Sequence, residues 1–137
     1  MHPKQILVIR KDLNMRKGKI ASQAAHASMA VLLDLMKKER LCTISDREKH
    51  VWTLEFQGYD ALDMWLNGAF TKICVYVNSE KELKDLYEQA KFLKLPCSII
   101  EDSGKTEFNN VPTFTAMAIG PEMPEVLDSL TGGLPLL

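Results

Sequence analysis

A short apolar run, Gln5 to Arg10 (QILVIR), passes without a linker into a basic, glycine-containing turn. That turn opens directly on a long helical pattern, so Arg10–Ala27 reads RKDLNMRKGKIASQAAHA. A continuous apolar run of this length suits a strand buried on both faces. The helix expected after it, about Arg16 to Lys38, carries two stripes. Ile20, Ala24, Ala27, Val31 and Leu35 recur three or four residues apart and form an apolar face. Lys19, Gln23 and His26 fall on another side. Asn14 is a candidate cap, Gly18 lets a ligand approach the backbone, and Lys37 and Lys38 suit the C-terminal end of the dipole. A strand that runs into a helix with a basic first turn builds the floor of an anion site at one end of a sheet.

The rest of the chain supplies the remainder of one α/β domain, residues 1–137. Residues 39–58 stay open between a capping box at Ser45 and Glu48 and a strand or edge hairpin, because Trp52, Leu54 and Phe56 alternate. A short helix over Asp60–Leu66 ends at Asn67-Gly68. A strand over Lys72–Asn78 follows. Ser79 and Glu82 form a capping box for a helix reaching about Leu93. Strands over Cys97–Glu101 and Thr113–Ile119 are joined only by a loop and are expected to be antiparallel. A last helix covers about Pro124–Leu130. The pattern predicts a mixed four-stranded β-sheet with helices on both faces.

Charge excludes one class and leaves another. The net charge is −1, so the whole chain is not a basic nucleic-acid coat. Residues 1–19 nevertheless hold Lys4, Arg10, Lys11, Arg16, Lys17 and Lys19 against Asp12 alone. A local basic patch steers a polyanion even when the total is near zero. The three cysteines, Cys42, Cys74 and Cys97, are odd in number and include no C-x-x-C, which indicates neither a disulfide framework nor a metal site. The N-terminal apolar run is too short for a signal peptide or a membrane span, and the default expectation is a reducing cytoplasm.

The loop Asp102-Ser103-Gly104-Lys105-Thr106 carries the remaining chemistry. It is not a phosphate loop of the GxxxxGK[ST] kind, since Ile99 stands where the first glycine is required. It offers a carboxylate at a strand end, able to act as a general base or to orient a water; an ordinary Asx turn is the plainer alternative. Lys19 can hold a phosphate at the helix N-terminus or stabilise developing negative charge. His26 has a tunable pKa but is equally a helix histidine bonded to backbone. HExxH and GxSxG are both absent. Thr113 and Thr115 alternate on one strand and are expected to point the same way, as a possible wall of the site.

Three separated stretches, RKDLNM…KGKIASQAAHA, IEDSGKT (Ile100–Thr106) and PTFTAMAIGP (Pro112–Pro121) with the tail DSLTGGLPLL, resemble the archaeal-and-eukaryotic-type peptidyl-tRNA hydrolases. Gly68 and Lys72 match a weaker motif. The resemblance implies hydrolysis of the ester between a stalled peptide and the tRNA 3′ ribose, without metal or cofactor. It places catalytic residues on Lys19, Asp102, Thr106 and Thr115, and substrate contacts on Gln23 and Lys72. The basic residues Arg10, Lys17 and Lys105, with His26, complete the expected substrate surface. Residues 39–58 are longer than the family's usual connection, and Thr131-Gly132-Gly133 departs from the usual tail. The resemblance also suggests a homodimer, in which an exposed Trp52, Phe56 or Trp65 would take part. A non-catalytic RNA- or protein-binding relative, with the pocket blocked by the 39–58 segment, is the alternative.

Overall fold

The computed structural model describes residues 2–42 and 48–137. Four strands form the main sheet in the order β4-β1-β6-β5: β1 (Lys4–Arg10), β4 (Lys72–Val77), β5 (Cys97–Asp102) and β6 (Thr113–Glu122). β1 pairs parallel with β4 and antiparallel with β6, and β5 pairs antiparallel with β6. The mixed sheet and the antiparallel last pair are therefore as the sequence predicts.

Alternation along β1 divides the core in two. Leu7 and Ile9 face helix α1 (Lys17–Leu35), packing with Ala27, Val31, Ala116 and Ala118. Ile6 and Val8 face the other side, where α3 (Glu80–Phe92) and α4 (Pro124–Thr131) supply Leu83, Leu86 and Leu127 against Met117 and Ile119. At α3 Ser79 Oγ accepts from the Glu82 amide at 3.1 Å as expected, while the Glu82 carboxylate reaches the Asn78 amide at 2.7 Å and not that of Ser79. The short helix α2 (Ala61–Leu66) is capped by Asp60, which accepts from the Asp63 amide. Its Trp65 is buried at 1 % exposure and donates through Nε1 to the Thr71 carbonyl. Trp65 is thus a core residue and has no surface to lend to a dimer.

Three local expectations are corrected. Asn14 does not cap α1. It takes a left-handed conformation (φ 52°) that closes a 3-10 turn over Lys11–Leu13, and Arg16 stands at the helix N-cap without a side-chain bond. α1 ends at Leu35, not Lys38, because Met36 turns extended. Beyond Leu35 the sequence KKERLC offers no apolar stripe for another helical turn to bury. Lys37 and Lys38 instead open β2 (Lys37–Cys42), which pairs antiparallel with β3 (Glu48–Thr53) as a separate two-stranded ribbon. The Ser45 half of the suggested capping box lies outside the described residues.

The last residues return to the sheet. The Tyr76 amide donates to the Pro135 carbonyl and the Leu137 amide to the Cys74 carbonyl, both at 3.1 Å, so the tail runs along the outer side of β4.

Candidate active site

β1 and β5 end side by side with the start of β6, and the N-terminus of α1 lies over that end. Asp102 closes β5. Its Oδ1 accepts from Lys19 Nζ at 2.9 Å and from Gln23 Nε2 at 3.3 Å, and its Oδ2 accepts from the Gly104 amide at 2.9 Å. Lys19 Nζ also donates to Thr106 Oγ1 at 2.8 Å. Thr115 Oγ1 donates to Gln23 Oε1 at 2.5 Å. Four side chains from three separate stretches of sequence, Lys19, Gln23, Thr106 and Thr115, therefore gather around the Asp102 carboxylate.

The backbone explains why they meet. Lys19 and Gln23 are one helical turn apart and share a face of α1. The Asx turn after Asp102 needs Gly104, whose φ is +82°; a Cβ there would lie 2.2 Å from the Val111 carbonyl oxygen. On β6 the register with β5 slips between Ile100 and Glu101, leaving Thr115 as an extra residue without a ladder partner. Such a bulge re-aims one side chain. It turns Thr115, fully buried, toward Gln23, while the Thr113 hydroxyl donates to the Val111 carbonyl instead. Thr113, in register with Asp102, makes no side-chain bond to the cluster among the described residues, and sequence alternation alone carries no sign of the bulge.

Both members of the central ion pair are largely enclosed, with side-chain exposures of 12 % for Lys19 and 14 % for Asp102. The hydrogen bond from Lys19, with smaller help from the Gly104 amide, the Lys19 charge and Gln23, holds the Asp102 carboxyl below its ordinary value against the opposing pull of burial. Lys19, the lysine of the pair, lines a groove of about 460 Å³ together with Arg16, Gly18, Ser22, Thr106 and Glu107. Among the described residues nothing lies within 4 Å of where a Cβ on Gly18 would point.

The other predicted contacts separate into groups. Lys17 and Lys105 are exposed, on the first turn of α1 and in the Asp102 loop, and none of the ion pairs among the described residues involves them. His26 is exposed further along α1 and joins none of these bonds. Arg10 is not on the basic surface. It is buried, with a two-pronged bond to Asp12 (3.2 and 2.7 Å) and a third to the Phe114 carbonyl at 3.0 Å, so it ties the end of β1 to β6. Lys72 is at the far end of the sheet, in register with Gln5 where Val77 is in register with Arg10. Five residues at ~3.3 Å each put it roughly 17 Å from the Asp102 end. Its ammonium lies 3.2 Å from the Phe70 ring centroid and 4.9 Å from that of Trp65.

Sequence reasoning missed Glu107, half-buried beside Thr106, which accepts from Arg16 Nε at 2.8 Å across the groove. Its position directly after the Lys-Thr pair was the available signal. Among the described residues no group of three or more His, Cys, Asp or Glu is arranged to hold a metal ion. No described helix is long and apolar enough to cross a membrane.

This geometry can be set beside known proteins. A family model described as peptidyl-tRNA hydrolase PTH2 matches residues 3–137. A peptidyl-tRNA hydrolase of Methanocaldococcus jannaschii is 42% identical over 134 residues, spanning 98% of this chain and 99% of the relative. Those of Sulfurisphaera tokodaii (39% over 137 residues, 100% of both chains) and Sulfolobus acidocaldarius (37% over 134 residues, 98% and 99%) are similar over the same extent. With the match running nearly end to end and taking in each segment of the Asp102 cluster, the chain belongs to the PTH2 family of peptidyl-tRNA hydrolases.

Proposed function

We propose that this chain hydrolyses the ester joining a peptide to the 3′ ribose of tRNA, with Asp102 and Lys19 as the working pair. The observation that carries the reading is the convergence of Lys19, Gln23, Thr106 and Thr115 on Asp102 beside an open groove, in a chain of this family. A count of hydrogen-bonding valences gives the roles. An ammonium has three N–H donors and a carboxylate about four acceptor positions. Lys19 uses two donors, on Asp102 and Thr106, and keeps one. Among the described residues Asp102 Oδ1 is fully engaged, while Oδ2 receives only the Gly104 amide and keeps one position.

A water bonded to that free position on Oδ2 is aimed and polarised for attack on the ester carbonyl carbon. Its proton passes to Asp102 as the C–O bond forms, and the remaining donor of Lys19 meets the oxyanion. When the tetrahedral intermediate collapses, the ribose 3′ oxygen leaves and takes the proton back from Asp102. General base catalysis of this kind contributes about 10²- to 10⁴-fold, and a single oxyanion donor about 10²- to 10³-fold. Gln23 and Thr115 fix the carboxylate rather than touch substrate. Lys17 and Lys105 give the substrate phosphates a sequence-independent landing. Homodimeric assembly and work in the reducing cytoplasm belong to the same proposal.

The test is release of labelled tRNA from N-acetylated aminoacyl-tRNA by the wild type, Lys19→Ala and Asp102→Asn. Turnover by the wild type and a loss of about 10²-fold or more in both variants is the expected result. Tight tRNA binding with no ester cleavage at any enzyme concentration would instead identify a binding relative without catalysis.

A further inference from the structure

The ribbon of β2 and β3 has no part in the site. It leaves the domain just after the C-terminus of α1, and α1 is 19 residues long. At 1.5 Å per residue its base is therefore about 28 Å from the groove. Among the described residues each strand pairs with the other and with no third strand, an arrangement of marginal stability by itself.

The register shows which face is dressed for a partner. Lys38 stands opposite Trp52 and Arg40 opposite His50, and positions two apart share a face. Trp52 is 48% exposed, with Lys38 Nζ 5.5 Å from its ring centroid. On the same face Glu48 accepts from Arg40 and lies 3.6 Å from His50 Nε2. On this face Lys38 and Arg40 outnumber Glu48, although the whole chain carries −1. Cations interleaved with exposed flat rings match a polymer of phosphates and stacking bases, whereas an apolar protein partner would meet charges on every second position.

We infer that the Lys38–Trp52–Arg40–His50 face of the ribbon is a second contact for the tRNA, gripping its body while the 3′ end occupies the groove. This rests on the proposed reaction and adds an anchoring surface to it. The contact supplies affinity and leaves the chemical step alone, because it lies a helix length from the ester.

Two substrates separate the effects: full-length N-acetyl-aminoacyl-tRNA, and the same ester on a CCA trinucleotide. For Lys38→Ala/Arg40→Ala, KM for the tRNA should rise several-fold at ~0.15 M salt, and the slope of log KM against log salt should fall by about 1 to 2. Trp52→Ala should raise the same KM about fivefold or more, the loss of one stacked ring. Neither variant should change kcat on the tRNA or any parameter on the trinucleotide ester, which also shows that the variants fold. An unchanged KM on tRNA overturns the inference, as does an equal change on both substrates. Loss of self-association in Trp52→Ala without a change in tRNA affinity overturns it in favour of a second copy of the chain. If the wild type cleaves neither substrate, the failure lies with the proposed reaction and appears before any ribbon variant is compared.

Discussion

Lys19 and Lys72 occupy opposite ends of one sheet, and both are lysines that the family resemblance brings into the reaction. Their surroundings differ. Lys19 is held by a carboxylate and a hydroxyl, beside a groove, on a helix whose N-terminus already favours anions. Lys72 is held by the faces of Phe70 and Trp65 and donates to the Phe70 carbonyl at 3.2 Å, and desolvation there lowers its pKa. The first arrangement keeps a charge in place with a donor to spare. The second treats the ammonium as a cap for an aromatic cluster. Residue type and motif membership alone do not separate the two; the neighbouring acceptors do.

The largest effect that can break this contrast is catalytic. Lys19→Ala should lower the rate of tRNA release by about 10²- to 10³-fold, whereas Lys72→Ala should stay within roughly threefold in kcat. Equal losses from both would mean that a second protomer brings Lys72 to the groove, which sedimentation at assay concentration would reveal.

A smaller effect sharpens the account of the Asp102 end. Thr115 is buried, and its bond to Gln23 is the only one from β6 into the polar cluster among the described residues. Thr115→Val leaves the Gln23 carbonyl oxygen without a donor. The expected cost is about 1–3 kcal/mol in urea unfolding. Activity should fall as well, because the Gln23 amide is then free to turn away from Asp102.

The smallest effect is in acid. The Asp102 carboxyl titrates below its ordinary value in the folded chain, chiefly because Lys19 donates to it. Its contribution to stability is therefore complete above the unfolded value of about 3.9 and disappears as pH falls through the lower folded value. Wild type should lose stability more steeply than Asp102→Asn across that window, and the difference between them should be constant above about pH 5. Parallel curves throughout would show that the ion pair does not form in solution.

Much of this was legible in the chain because it is local. The apolar run of β1, the two-faced pattern of α1 and the Ser79–Glu82 cap each depend on neighbours within a turn or two. Lys19 and Gln23 could be paired by helical spacing, and Asp102 singled out at a strand end. What the sequence left unwritten is non-local. The parallel register that takes Lys72 away from the site is set by a crossover, not by any motif near residue 72. The bulge that turns Thr115 inward exists only in the pairing of β5 with β6. Arg10 reads as surface charge until Asp12 and the Phe114 carbonyl are seen to consume its donors. α1 stops at Leu35 because the next residues find strand partners near residue 52, which helix propensity cannot foresee.

The tail laid along β4 has a consequence for solubility. An outer strand with bare amides and carbonyls is a template on which another molecule can add a strand and begin to aggregate. By spending the Tyr76 amide and the Cys74 carbonyl on residues 135–137, the chain covers the middle of that margin and shortens the rail on which a foreign strand could dock.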